Sequence, residues 1–261
     1  MAGPCPAEFI ELAERLAAAS GAVIRKYFRT PFVVDQKSDA TPVTIADREA
    51  ERAMRDLITA AYPDHGILGE EHGVHRADAE YVWVLDPIDG TRSFIAGKPI
   101  FGTLIALTRN GSPILGIIDQ PINGERWIGA AGMKTLFNGA AATTRPCAAM
   151  NQAILNTTSP DLFENDDRTR FRQIATASRE VLYGGDCYAY GLVASGFIDL
   201  VVEVDLKPYD YCALAPVVEG AGGSITDWRN QRLTLNSDGR IVASGDPALH
   251  AQVIKALDFG G

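Results

Sequence analysis

Residues Tyr81 to Leu85 (YVWVL) form an uninterrupted apolar run that ends in Asp86-Pro87-Ile88-Asp89-Gly90-Thr91. Such a run is a buried strand. It delivers an acidic residue at its C-terminal end, where α/β sheets place their ligands. Asp86-Pro87-Ile88-Asp89 fits a β-turn, with Asp at the first position and Pro at the second. That turn would bring both carboxylates to one side and point the Ile88 carbonyl with them. Gly90 lets the backbone approach a ligand closely, and Thr91 opens a short helix, stopped by Gly97, whose first amides can hold an anion. Two carboxylates and a carbonyl are hard oxygen donors, so the implied ion is Mg²⁺ or a relative, not zinc.

The rest of the chain supplies the layers that bury such a strand. Phe9, Leu12, Ala13, Leu16, Ala19, Val23 and Tyr27 recur at helical spacing and predict a helix over Pro6–Phe28. A short strand is expected at Phe32–Val34, then a polar stretch from Gln36 to Thr41. A second helix runs from Thr44 to Ala61, ended by Pro63, Asp64 and Gly66. Strands follow at Ile67–Glu70, Tyr81–Leu85, Thr103–Leu107 and Ile114–Asp119. The small-residue segment Gly139–Ala149 separates a second half. There, strands at Ala153–Thr157, Leu200–Val204, Ser224–Asp227 and Ile241–Ala243 alternate with helices at Asp167–Ala177, Tyr188–Ser195 and Asp210–Gly220. The order is mixed α/β (α+β), in two halves over residues 1–140 and 141–261. With 46% hydrophobic residues in 261, one large domain or two intimate ones can bury a sizeable core.

Charge and cysteine usage narrow the function. A net charge of −9 makes nucleic acid an unlikely partner, although a small phosphate can still bind if cations come with it. Cys5, Cys147, Cys187 and Cys212 form no CxxC pair, which suits a reducing cytosol. Glu8, Glu11 and Glu14 precede the Ala-rich stretch Leu16–Ile24, the wrong sign for a signal peptide's basic leader. No run approaches ~18 apolar residues, so no membrane partner is expected and the compartment expected is the cytoplasm.

Three further acids have a bland reading and a functional one. Glu70-Glu71 at a strand end reads as a solvated pair or as a ligand. Asp47 in Thr44-Ile-Ala-Asp47 matches a capping box, and alone that reading is the stronger one. Asp210 starts a helix, where acids are common, and Pro216 inside that helix implies a kink or a short first turn. His72 and His75 have a metal-like spacing but no Cys or third His near them in sequence, and no GxSxG elbow points to a serine hydrolase.

Taken together, Thr41-Pro-Val-Thr-Ile-Ala-Asp47, Gly69-Glu70-Glu71, Asp86-Pro-Ile-Asp89-Gly-Thr91 and Pro208-Tyr-Asp210 before Glu219-Gly-Ala-Gly-Gly223 resemble the inositol monophosphatase superfamily. The resemblance implies a layered αβαβα sandwich of the inositol monophosphatase / fructose-1,6-bisphosphatase type. It implies a homodimer, a metal-dependent phosphomonoesterase, and a small-molecule phosphate ester as partner. By resemblance, Glu70, Asp86 and the Ile88 carbonyl hold one Mg²⁺. Asp86, Asp89 and Asp210 hold a second, and Glu70 helps a third, weaker ion. Asp47 and Thr91 resemble the pair that activates the attacking water, with Asp47 accepting from the Thr91 hydroxyl. The amides of Gly90 and Thr91 bind phosphate oxygens.

The family's second motif normally carries Trp before the metal-binding Asp; here it is Tyr209. Leu182-Tyr-Gly-Gly-Asp186-Cys-Tyr-Ala-Tyr190, with Glu203 and Leu206-Lys-Pro-Tyr-Asp210, looks like the histidinol-phosphate phosphatase branch. Glu203 matches a position that contacts the leaving alcohol, and a second carboxylate at Asp186 suits the amine and imidazole of histidinol. Asp186, Glu203 and Asp210 are thus the substrate-facing set, and the expected reaction is L-histidinol phosphate to L-histidinol and phosphate, a step of histidine biosynthesis. The alternatives are an inositol-1-phosphate or broad sugar-phosphate phosphatase, and a metal- and phosphate-binding regulator without turnover. An intact Asp47 and Thr91 argue against the regulator.

Overall fold

A computed structural model describes residues 3–31, 34–36 and 42–257. Chain order begins with α1 (Ala7–Tyr27), β1 (Val34–Gln36), β2 (Pro42–Thr44) and α2 (Ile45–Ala61). Next come β3 (Gly66–Gly69), β4 (Gly73–His75), β5 (Tyr81–Asp89), α3 (Thr91–Ile95), β6 (Gly102–Arg109), β7 (Ser112–Gln120), β8 (Glu125–Ala130), β9 (Leu136–Phe137) and β10 (Ala140–Ala141). The remainder holds β11 (Ile154–Thr157), α4 (Asn165–Ala177), β12 (Glu180–Tyr183), α5 (Asp186–Ala194), β13 (Leu200–Glu203), α6 (Pro208–Tyr211), α7 (Leu214–Gly220), β14 (Ser224–Asp227), β15 (Ile241–Ser244) and α8 (Pro247–Leu257).

Eight strands form one sheet in the order β10-β9-β8-β7-β6-β5-β3-β4, and five form a second in the order β12-β11-β13-β15-β14. Alternation along the strands assigns the layers, because successive side chains face opposite sides of a sheet. In β5, Trp83 and Leu85 join Phe9, Leu12, Leu16, Met54 and Ile58 from α1 and α2. Val82 and Val84 face the other way, against Tyr190 and Val193 of α5, Val217 of α7, and Ile241 and Ala243 of the second sheet. The far side of the second sheet packs Leu200, Val202 and Val242 on Phe171 and Ile174 of α4 and Leu249 and Val253 of α8. The order is therefore αβαβα, as the resemblance implies.

The middle helical layer comes from the second half of the chain but packs on the first sheet, so the two halves share a core. Close approach there depends on glycine. A Cβ on Gly116 would lie 1.9 Å from the Ala213 carbonyl oxygen, and one on Gly129 would lie 2.2 Å from that of Pro216.

Several expectations shift. The strand expected at Phe32–Val34 lies largely outside the described residues; Val34–Gln36 pairs antiparallel with Pro42–Thr44. The single helix expected over Asp210–Gly220 breaks at Cys212–Ala213, leaving Pro216 in the first turn of α7, where its missing N–H costs nothing. β2, β4, β8, β9, β10, β12 and α8 were not among the expected elements. β12 is an edge strand with an exposed face, and β8 opens with Glu125-Arg126, so neither shows a continuous apolar run. Among the described residues no helix is long and apolar enough to cross a membrane.

Candidate active site

Asp86 and Asp89 come from the end of β5, a strand buried from Val82 to Ile88. The expected β-turn is replaced by an irregularity within the strand. Asp86 pairs with Leu104 and Asp89 with Gly102, so three steps on β5 oppose two on β6. An Asx-type bond stabilises this bulge, the Ile88 N–H donating to Asp86 Oδ1 at 2.9 Å. The strand continues because β6 still pairs beyond the Pro, and the extra residue re-aims the acids, as bulges beside active sites do.

Two other elements complete the carboxylate set. Asp210, third residue of α6, accepts from the Lys207 N–H at 2.7 Å. Asp89 is held by the opposite half, the Cys187 N–H of α5 donating to its Oδ2 at 2.5 Å. The ligand-capable oxygens of Asp86, Asp89 and Asp210 all lie within 4.8 Å of one another. Asp86 is 2% exposed, whereas Asp89 and Asp210 each keep a face on the cavity. Burial, then the charges of Glu70, Asp89 and Asp210, push Asp86 well up from the usual carboxylate range. Asp89 is raised by burial and by Asp186 and Asp210. Asp210 rises to about 7, from burial and Glu70, against the Lys207 N–H that pulls it down. Crowded acids with hard oxygen donors fit a divalent cation, which relieves their mutual repulsion.

Glu70 lies outside that close triad, just past β3, with its N–H on the Leu85 carbonyl at 3.1 Å. Its charge nevertheless acts on Asp47, Asp86 and Asp210. Asp47 is fully buried on the first turn of α2. Its Oδ2 closes a capping box, accepting from the Thr44 N–H at 2.8 Å and the Thr44 hydroxyl at 2.5 Å. Its Oδ1 is buried with no hydrogen-bond partner. Burial raises its pKa to about 6, against the Thr44 bonds, with Glu70 adding to the rise. One residue thus closes the helix cap with one oxygen and keeps the other buried without a partner.

The direct Thr91–Asp47 bond implied by the resemblance is not formed. The Thr91 hydroxyl donates instead to the Ile88 carbonyl three residues back, at 3.1 Å. A threonine opening a helix reaches that carbonyl without leaving its turn. Gly90 has φ 87°, and a Cβ there would meet Asp186 Oδ2 at 2.5 Å, so both conformation and space require glycine.

The substrate-facing expectations converge on one cavity of about 190 Å³, whose lining includes Asp89, Thr158, Asp186, Tyr190, Glu203 and Asp210. Asp186 follows Gly184 and Gly185 in a run of three left-handed residues, its own φ being 43°. Its Oδ2 accepts from the Ser93 hydroxyl at 3.1 Å. Burial raises its pKa, with Ser93 and Arg92 opposing. Glu203 is 4% exposed. Its Oε1 accepts from the Thr158 N–H at 3.0 Å and hydroxyl at 2.5 Å, and its Oε2 from the Tyr190 hydroxyl at 2.8 Å. Burial raises Glu203, and the Asp186 charge adds to it. Larger cavities of about 460 and 760 Å³ beside Arg170 and Arg240 contain none of the expected site residues.

Sequence reasoning missed Ser93, Thr158 and Tyr190, hydroxyl residues that orient the acids. Only Tyr190 carried a local signal, four residues after Asp186 and so on the same helical face. His72 is turned away, its Nε2 against the Arg48 carbonyl at 3.0 Å.

Residues 6–260 match the inositol monophosphatase family. The chain is 51% identical over 260 residues to the chloroplastic bifunctional phosphatase IMPL2 of Arabidopsis thaliana, covering 96% of this chain and 75% of that one. It is 35% identical over 253 residues to a histidinol-phosphatase of Chlorobaculum parvum, covering 96% and 97%. The solved structure of an inositol monophosphatase from Zymomonas mobilis superposes with a TM-score of 0.89 at 50% identity, covering 96% and 97%.

Proposed function

The chain belongs to the inositol monophosphatase family, metal-dependent phosphatases that hydrolyse phosphomonoesters, and on that premise we propose that it uses Mg²⁺ to hydrolyse L-histidinol phosphate. The observation that carries the substrate is the pair Asp186 and Glu203. Both line the cavity, neither belongs to the close triad, and the Asp186 charge pushes Glu203 further up. A cationic leaving alcohol relieves that repulsion; a neutral polyol does not. The histidinol-phosphatase relative supports the same reading.

In this reading Asp86, Asp89 and Asp210, with Glu70 and the Ile88 carbonyl, are the donors that would hold two ions, and Glu70 would help a third. When bound, such ions neutralise the acids, fix phosphate oxygens and lower the pKa of water toward neutrality. The protein's own part is positional. Asp47 offers the unpartnered Oδ1 to the attacking water while Thr44 fixes its Oδ2. Thr91 fixes the Ile88 carbonyl through its hydroxyl, leaving its amide and that of Gly90 for phosphate. Glu203, locked by Thr158 and Tyr190, and Asp186 receive the leaving alcohol's cationic groups. The homodimer and the cytosol remain part of the proposal; four free cysteines suit a reducing compartment.

The 50% identity to a solved inositol monophosphatase favours a second reading, inositol-1-phosphate or a broad set of sugar phosphates. Initial rates of purified protein with Mg²⁺ on histidinol phosphate, inositol-1-phosphate and an adenosine bisphosphate decide between them. A kcat/KM at least tenfold higher for histidinol phosphate is expected, and a preference for inositol-1-phosphate would reject the proposal.

A further inference from the structure

We propose that Glu51 is a positioning residue that sets the Glu70 carboxylate for the metal site, an inference that rests on reading Glu70 as a ligand. Glu51 lies one helical turn after Asp47 on the same face of α2, and it is fully buried. Its carboxylate does not enter the cavity. It turns to the loop after β3 and accepts from two consecutive amides, Glu71 N–H at 2.7 Å and His72 N–H at 3.1 Å. Arg55, four residues on, donates its Nε–H to Glu51 Oε1 at 2.7 Å and its other arm to the Gly73 carbonyl. On the other side of Glu70, its own N–H is pinned to Leu85, the residue before Asp86. The peptide carrying the Glu70 side chain is thus fixed from both directions.

The seat for Glu51 exists only because residue 69 is glycine. A Cβ there would lie 2.1 Å from Glu51 Oε1 and 2.8 Å from an Arg55 nitrogen. A buried carboxylate is costly, and for stability alone a well-packed apolar side chain serves as well or better. What an apolar residue cannot do is specify the conformation of a loop by accepting two of its amides. Because α2 also carries Asp47, one rigid helix places both the water-facing acid and the loop that presents Glu70.

The test is calorimetric titration of the EDTA-stripped protein with Mg²⁺, run on wild type, Glu51→Gln, Gly69→Ala, Glu70→Gln and the Glu51→Gln/Glu70→Gln double variant. Glu51→Gln should weaken Mg²⁺ binding about 10- to 100-fold, the usual effect of losing a supporting residue behind a ligand. Its kcat should recover at saturating Mg²⁺. Gly69→Ala, which displaces the Glu51 carboxylate while leaving every proposed metal ligand unsubstituted, should do the same if Glu51→Gln folds poorly. The double variant should bind no more weakly than Glu70→Gln, since Glu51 acts only through Glu70; a merely structural role would lower thermal stability and give additive losses. Wild-type Mg²⁺ affinity in Glu51→Gln and Gly69→Ala, or additivity in the double variant, would overturn the proposal. Wild-type affinity in Glu70→Gln would instead overturn the assignment of Glu70 as a ligand, and the proposal with it.

Discussion

Asp47→Asn should make the metal-free protein more stable and the enzyme slower. The carboxylate is fully buried, and burial outweighs its two bonds from Thr44, lifting its pKa from 3.8 to about 6. A raised carboxylate pKa means that the folded state disfavours the ionised form. Above about pH 6 this costs roughly 3 kcal/mol of stability, it diminishes as pH falls from 6 to 3.8, and below that it is absent. Asparagine keeps an acceptor for Thr44 without the charge, and the weakening of the charge-assisted bonds is already part of that net cost. The gain at pH 8 is therefore about 3 kcal/mol, a melting temperature higher by roughly 6–12 °C for a chain of this size. At pH 4 the gain should vanish. Because Asn cannot take a proton from the attacking water, kcat should fall roughly 10²-fold or more. Differential scanning fluorimetry of EDTA-treated protein at pH 8 and pH 4, beside initial rates with Mg²⁺, reads both effects. A lower melting temperature at pH 8 with an unchanged kcat would return Asp47 to a plain helix cap and refute the reasoning.

Removing divalent ions with excess EDTA should abolish activity, and Mg²⁺ at a hundred times its Kd should restore about 2.7 kcal/mol of stability. Because Asp210 titrates near pH 7, protons should compete and Mg²⁺ affinity should fall below that pH, which calorimetry at pH 6 and 8 will show. Asp186→Ala should depress kcat/KM for histidinol phosphate about 10- to 150-fold, the loss of one charge-assisted bond, while hardly changing that for the phosphate ester of a small uncharged alcohol; equal losses on both would reject a selectivity role. His250, buried between the Thr226 and Ser244 hydroxyls, has its pKa lowered from 6.5 to about 4, so acid unfolding should include a loss of about 3 kcal/mol between those pH values. A His250→Gln variant without that slope in denaturant titrations would confirm it; the same slope in both proteins would not. Gly129→Ala should destabilise the fold by about 3 kcal/mol, because its Cβ meets the α7 backbone rather than a side chain that can move; a melting temperature equal to wild type would contradict the close helix-on-sheet contact.

Much of the site was legible because its main part is contiguous. Strand β5 and the residues Asp86 to Thr91 lie within eleven positions, and their chemistry follows from residue type and local order. The helices α1 and α2 and the apolar strand run of β5 were legible for the same reason, since a helical period or a continuous apolar run is a property of neighbours in sequence. Even Pro216 announced the break that separates α6 from α7. What the chain's order could not express was decided by packing. Pairing of β5 with β6 turned an expected β-turn into a bulge, and Thr91 binds the Ile88 carbonyl of its own turn rather than Asp47. Asp89 depends on an amide 98 residues away at Cys187. Glu51 looks like one more polar residue of an amphipathic helix until β3 and its loop fold back upon it. The raised pKa values of Asp47, Asp86 and Asp210 belong to no residue alone. They arise because folding removes water from several acids at once and brings their charges together, and only the tertiary structure fixes how closely.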